Sequence, residues 1–514
     1  MADDEQPGLP RTRTTARHLG LLLGPLLGGA VLAFADLDPQ RPAVTATAAA
    51  ALWMAIWWIT EAVPLAATAL LPLVLFPAFG VMDGKATAGQ YANHIVFLFV
   101  GGFVVALAMQ RWGLHRRIAL RILLLFGNHP RRILLGFMAA TAFLSMWISN
   151  TAATMMMVTI ALALVARLDD GGRSPAAAGF ARALLLGTAY GASIGGIATL
   201  VGTPPNLSFT RIFAIQYPTA PEISFAAWML FALPVALVFL LLCWWLLARC
   251  YVPRTHDLAV DAGLIRRQYE ELGPPSFAEK AVLADFLVLI ALWLSRADLD
   301  LGAVVVPGWS RLFAHPGWFN DGAVAVAMAL VLFVVPARDG TGARVMDWEA
   351  TAALPWHIVL LFGGGFALAY GFAQSGLSDW LGGRLAGLGG LHPLLLVAVA
   401  CLLITFLTEL TSNTATAEMI LPVMAGLASA IRVDPRLLMV PVTISCSCAF
   451  MMPVATPPNA IVFGSGRLRM ADMALCGLAL NLVGVGLVVL AIWLLGGPAF
   501  GIDLAQFPEW ARPR

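Results

Sequence analysis

Charged side chains are what this chain lacks: they make up 12% of its 514 residues, against 60% hydrophobic, with a mean hydropathy of +0.83. That is too little polarity to cover a water-facing surface of this size, and the chain belongs in lipid. The net charge is +2, and the arginines fall in short loops and form no basic face. Nucleic-acid binding is excluded on that ground. Cysteine is also scarce. Cys243, Cys250, Cys401, Cys446, Cys448 and Cys476 mostly sit inside apolar runs, where they read as small hydrophobes and give no disulfide framework. Cys446-Ser447-Cys448 has no second ligand pair nearby, so packing outweighs metal binding. No nucleophile stands beside a His or Lys in an apolar run, which argues against an intramembrane enzyme. The polar residues cluster at two points and form no continuous polar pore, which argues against a channel.

What is present is a series of apolar runs long enough to cross a bilayer. They fall near 18–36, 43–60, 62–80, 94–110, 183–211, 225–248, 281–297, 320–336, 357–373, 437–464 and 473–497, predicting an all-α polytopic membrane protein of about eleven transmembrane helices. Arg11, Arg13 and Arg17 precede the first run, which reads as an uncleaved span despite Ala33-Phe34-Ala35. With the N-terminus cytoplasmic, 21 of the 31 Lys and Arg residues lie inside, satisfying the positive-inside rule. The largest inside loops carry Arg111, Arg116, Arg117, Arg121, Arg131 and Arg132, then Arg249 to Lys280 with Arg254, Arg266 and Arg267.

Two more uncharged or nearly uncharged stretches, 133–166 and 393–431, are treated apart, because each has Ser-Asn-Thr near its centre. The first is too short for two full spans and a turn. Both read as re-entrant helical hairpins, with irregular backbone at membrane depth. Sliding the chain by 263 residues places His94 on His357, Phe99 on Phe362, Gly101-Gly102-Phe103 on Gly364-Gly365-Phe366, and Ser149-Asn150-Thr151 on Ser412-Asn413-Thr414. At 253, Thr203-Pro204-Pro205-Asn206 meets Thr456-Pro457-Pro458-Asn459. The two copies run in opposite senses, and inverted repeats with broken helices mark secondary transporters. The division expected is a cytoplasmic tail 1–17, scaffold helices 18–90, repeat one 91–248, a cytoplasmic loop 249–280, repeat two 281–497 and an extracytoplasmic tail 498–514.

The residue types suggest chemistry. Ser, Asn and Thr cap helix N-termini, and the half-helix after each Ser-Asn-Thr offers free amides and a positive dipole end, a site for anions. The Pro pairs remove donors from the carbonyls of Leu200, Val201, Pro453 and Val454. With Asn150 or Asn413 and the nearby Ser145 or Thr408, each repeat has hard oxygen ligands for a sodium ion. Neither hairpin contains Lys, Arg or His, so a bound dianion calls for co-bound cations. Glu409 and Glu418 break the symmetry, their counterparts in the first repeat being Met146 and Met155. Single-motif readings are plainer: helix packing for Gly101 and Gly364, interfacial anchors for His94 and His357, and belt or core for Trp57, Trp58, Trp244 and Trp245.

Over nearly its whole length the chain resembles the divalent anion/sodium symporter family, through Trp57-Trp58-Ile59-Thr60-Glu61-Ala62-Val63-Pro64, Thr408-Glu409 and both motif pairs. The resemblance implies sodium-coupled uptake of small dicarboxylates such as succinate, malate or fumarate across the cell membrane, by a homodimer with an elevator mechanism and no organic cofactor. It leaves sodium-independent anion exchange and sulfate or citrate preference as alternatives, and an ion antiporter of similar architecture as a distant one. It implies that the anion meets Ser149, Asn150, Thr151, Ser412, Asn413, Thr414, Thr203, Thr456 and Pro457. One sodium would lie near Ser145, Ser149, Asn150 and Gly202, and its mirror near Thr408, Thr411, Asn413 and Ala455.

Overall fold

The computed structural model describes residues 11–168, 174–252, 263–300, 305–504 and 506–512. Residues 1–10 of the predicted N-terminal tail, Arg254 of the predicted cytoplasmic loop and residues 513–514 lie outside them. Long apolar runs become long helices, because backbone polar groups in hydrocarbon can be satisfied only within the segment. Among the described residues, seven helices are long and apolar enough to cross a bilayer: Thr15–Phe34, Pro42–Thr60, Gly84–Arg111, Asn150–Arg167, Phe225–Tyr251, Trp356–Ser375 and Met470–Phe500. The chain is a polytopic, almost wholly helical membrane protein. Its described strands form a two-residue antiparallel ladder, Leu299–Asp300 with Val305–Val306.

The remaining expected crossings are built differently. Run 62–80 is two short helices, Leu65–Thr68 and Leu71–Ala78, because Pro64 and Pro72 each restart the chain at a helix N-terminus. Run 320–336 becomes the 14-residue helix Asp321–Val334, about 21 Å long and short of a full apolar layer. Phe277–Ser295 carries the buried Glu279 and Asp285. The Arg-rich loop after Arg111 contains an amphipathic helix, Leu114–Leu125, that buries Leu114, Ala119, Leu120 and Leu123. Arg117 then ties this helix to Glu279 and to the carbonyl of Gly273 at 2.9 Å.

Both Ser-Asn-Thr stretches are helix pairs: Pro130–Ser145 with Asn150–Leu168, and Pro393–Thr408 with Asn413–Ala430. Both Thr-Pro-Pro-Asn segments open a new helix after a break. Pro175–Ile197 is followed by Pro204–Gln216, and Pro435–Cys446 by Pro457–Gly464. Each helix before a break packs on the helix pair of its own repeat, whereas each helix after a break crosses over. Pro204–Gln216 packs on Asn413–Ala430, and Pro457–Gly464 packs on Asn150–Leu168. This exchange draws all four motifs to the junction of the repeats.

The glycines matched by the 263-residue offset mark close crossings, as expected. A Cβ on Gly101 would lie 2.6 Å from the Ala325 carbonyl carbon, and one on Gly364 would collide with the Ala69 carbonyl oxygen. The C-terminal tail is not a free tail. The Trp510 ring packs edge-on to Phe213 and Tyr217, and the Arg436 guanidinium lies 5.0 Å from its centroid.

Candidate anion and cation site

At the first helix-pair tip, the Ser149 hydroxyl accepts from Ala152 N–H at 3.2 Å, as helix-capping chemistry requires. The Ser145 hydroxyl donates to Asn150 Oδ1 across the turn. The second tip repeats this contact at the matching positions, with Thr408 Oγ1 donating to Asn413 Oδ1 at 2.8 Å. Thr408 Oγ1 also lies 2.8 Å from the Cys446 carbonyl, where the helix before the second break ends. The hydroxyls of Thr411 and Thr416 share a hydrogen bond of 2.5 Å behind that tip.

The breaks are stabilised by the asparagine of each Thr-Pro-Pro-Asn. Asn206 Nδ2 donates to the carbonyls of Thr199 (2.7 Å), Gly196 (3.2 Å) and Ile197 (3.3 Å). Asn459 Nδ2 donates to Ala449 and Met452 at 3.0 Å each. At an offset of 253, Gly196 falls on Ala449 and Thr199 on Met452, so the two amides do the same work in the same register. Leu200, Val201, Pro453 and Val454 lie in the non-helical segments 198–203 and 447–456. Their carbonyls are outside any helix because the chain has already left it, and the asparagines hold the carbonyls of Gly196, Ile197, Thr199, Ala449 and Met452 instead.

Each tip is tethered to its break by different chemistry. In repeat one, Thr199 Oγ1 donates to the Met146 carbonyl at 2.6 Å and accepts from Gly202 N–H at 3.1 Å. In repeat two, the residue matching Met146 is Glu409, 3% exposed. Its carboxylate accepts from the N–H groups of Phe450, Met451 and Met452 at 2.7, 2.8 and 2.9 Å, and from Asn481 Nδ2 at 2.8 Å. Four donors satisfy a buried carboxylate without a cation.

These elements enclose a cavity of about 620 Å³. Ser149, Asn150, Thr151, Thr203, Ser412, Asn413, Thr414, Thr456 and Pro457 all line it, as do Gly202, Thr411 and Ala455. Ser145 and Thr408 stand behind the lining, fully buried against the amide oxygens they contact. Glu61, Phe99, Phe103 and His357 also line the cavity, and sequence reasoning had not placed them there. Glu61 adopts φ +48° and pairs with Arg17 at 3.2 Å.

Four helix N-termini converge on this space, at Asn150, Pro204, Asn413 and Pro457, each bringing the positive end of its dipole. Neither Lys nor Arg is among the lining residues. In each repeat a hydroxyl and an amide oxygen sit in contact beside a helix break. These are neutral hard oxygens that fit a monovalent cation and do not suit a soft metal. In repeat one the backbone at the break is closely packed. A Cβ on Gly202 would lie 2.5 Å from the Gly196 oxygen, and one on Gly196 would lie 2.8 Å from Asn150 Oδ1.

A polytopic helical chain whose two repeats exchange their broken helices around a shared cavity is a membrane transporter. The chain matches the sodium:sulfate symporter transmembrane region over residues 37–502 and belongs to that family. It is 44% identical over 498 residues to a sodium-dependent dicarboxylate transporter of Staphylococcus saprophyticus, covering 95% of this chain and 93% of the relative. It is 41% identical over 501 residues to a protein of the same name from Staphylococcus aureus, covering 96% and 94%. Two solved structures share the fold at 16% identity. One is the Neisseria gonorrhoeae efflux pump MtrF (TM-score 0.54, covering 80% of this chain and 83% of that one). The other is the Alcanivorax borkumensis YdaH transporter (TM-score 0.56, 84% and 90%).

Proposed function

We propose that this protein is a sodium-coupled symporter of small dicarboxylates such as succinate, malate or fumarate, with the cavity between the two helix pairs as its substrate site. The observation that carries this reading is the convergence of four helix N-termini on a cavity without Lys or Arg. Dipole ends and hydroxyls recognise carboxylates, but they neutralise a dianion only in part. Sodium ions bound beside the tips supply the remaining positive charge, so anion and cation favour each other's binding. The relatives' names point to the same pair of solutes.

In this reading Ser149, Asn150, Thr151 and Thr203 hold one end of the substrate, and Ser412, Asn413, Thr414, Thr456 and Pro457 the other. One sodium sits by Ser145, Ser149, Asn150 and Gly202, the second by Thr408, Thr411, Asn413 and Ala455. Binding the cations redirects the lone pairs of Asn150 and Asn413, which now accept from Ser145 and Thr408. The helix pairs are re-entrant, one from each side, and the protein works as a homodimer whose transport part moves against a scaffold by an elevator step, with the N-terminus cytoplasmic and the C-terminus outside. Radiolabelled succinate uptake into proteoliposomes tests it. Uptake should require an inward sodium gradient, and uptake that persists in potassium when a counter-anion is loaded would replace symport by exchange.

A further inference from the structure

Glu418 has no part in the site just described. It sits on Asn413–Ala430, is fully buried, and faces a helix of the other repeat. Ser208 Oγ, on Pro204–Gln216, lies 2.5 Å from Glu418 Oε1. The same hydroxyl lies 3.3 Å from the carbonyl of Pro204, the first residue of the helix that lines the cavity. Glu418 Oε2 is buried with no hydrogen-bond partner and is pressed against the backbone at Gly365.

A hydroxyl carries one proton, so it cannot donate to both neighbours at once. If the proton goes to Pro204, the contact with Glu418 needs a proton on the carboxyl. An ionised carboxylate here would have one weak donor and no cation, which is strongly unfavourable in the membrane interior. The neighbouring helices supply no counter-charge. Arg211, on the helix of Ser208, binds Gln90 at 3.0 Å. Arg436 binds Asp434 and the Phe500 carbonyl. Arg384 stacks over Trp380, on the same helix as Asp379. Glu409 is held by the backbone of 450–452, and His357 is at the cavity end of Trp356–Ser375. The Cys446 thiol, on the neighbouring helix Pro435–Cys446, is within electrostatic reach of Glu418 and brings no positive charge.

We propose that Glu418 binds a proton. The neutral acid donates to Ser208, whose hydroxyl donates to the Pro204 carbonyl, and this relay joins the second helix pair to the first turn of the helix opened by the first repeat's Thr-Pro-Pro-Asn. Glu418 is thus a positioning residue that keeps the two halves of the cavity in register while the proton stays on the protein.

The test compares Glu418→Gln, which can still donate to Ser208, with Glu418→Ala, which cannot. Succinate uptake with Gln should stay within about 3-fold of the natural protein, while Ala should lose about 10-fold or more. Infrared spectra at neutral pH, taken on purified protein without substrate, should show a neutral-carboxyl carbonyl band that disappears in Glu418→Gln. Absence of that difference band overturns the proposal, and so does uptake with Gln as low as with Ala. The uptake comparison rests on the dicarboxylate reading and the infrared comparison does not. A failure of the substrate assignment would remove uptake from the natural protein too and leave the band in place. If Glu418→Ala does not fold, the Gln spectrum still decides.

Discussion

The two repeats share one backbone plan, and in both the break donates to the tip, but the groups that make the tether differ. In repeat one the break donates, through Thr199, to a backbone carbonyl at the tip. In repeat two the break donates through three backbone N–H groups to a carboxylate at the matching tip position, Glu409. The first tether is a single neutral hydrogen bond. The second is a charge-assisted set, roughly twice as strong per bond. Repeat one has glycines in close backbone contact at its break, Gly196 and Gly202, where repeat two has Ala449 and Ala455. A duplicated architecture therefore conserves the position of a connection and leaves its chemistry free.

The comparison is broken most directly at the tips themselves. Asn150→Ala and Asn413→Ala should each lower succinate uptake by about 100-fold or more while the protein stays folded, because in the proposed site each supplies an oxygen shared by anion and cation binding. Full activity in either variant, measured in proteoliposomes, would sink the proposed site. Next comes Gly202→Ala. Its Cβ would meet the Gly196 oxygen at 2.5 Å, and the strain of overpacking a close backbone crossing should cost about 1–3 kcal/mol, seen as a lower melting temperature in detergent and a weaker sodium response.

The tethers come third. Glu409→Gln replaces a charged acceptor by a neutral one and should destabilise by about 2 kcal/mol, whereas Thr199→Val should cost nearer 1 kcal/mol. Equal melting shifts for the two would erase the asymmetry argued above. The smallest effect is expected from Ala455→Gly, which restores the repeat-one residue in repeat two. It should cost about 0.5–1 kcal/mol through backbone entropy, read as a small drop in melting temperature.

Much of this site was legible beforehand. The offset of 263 paired the Ser-Asn-Thr tips and the Gly101 and Gly364 crossings, and the offset of 253 paired the breaks. Ser145 and Thr408 were read as partners of Asn150 and Asn413, and they contact them. Less visible was the asparagine of each Thr-Pro-Pro-Asn, whose amide turns back onto carbonyls seven to ten residues earlier. Glu409 read only as a break in the repeat symmetry, because its four donors lie about 40 to 70 residues downstream. Trp510, His357 and Glu61 carried no local signal of where they would pack.

By itself the sequence determined that the chain lives in a membrane, that its motif pair occurs twice at a nearly constant offset, and which four short motifs carry the polar chemistry. These follow from composition, periodicity and residue type, which act over a few residues or recur along the chain. Only the tertiary structure decided that the helices after the breaks change sides, so that Pro204–Gln216 rests on Asn413–Ala430 and Pro457–Gly464 on Asn150–Leu168. It likewise decided that Glu418 faces Ser208 across that seam, 210 residues away in sequence. Contacts between segments so far apart depend on how whole helices pack, and no local pattern encodes them.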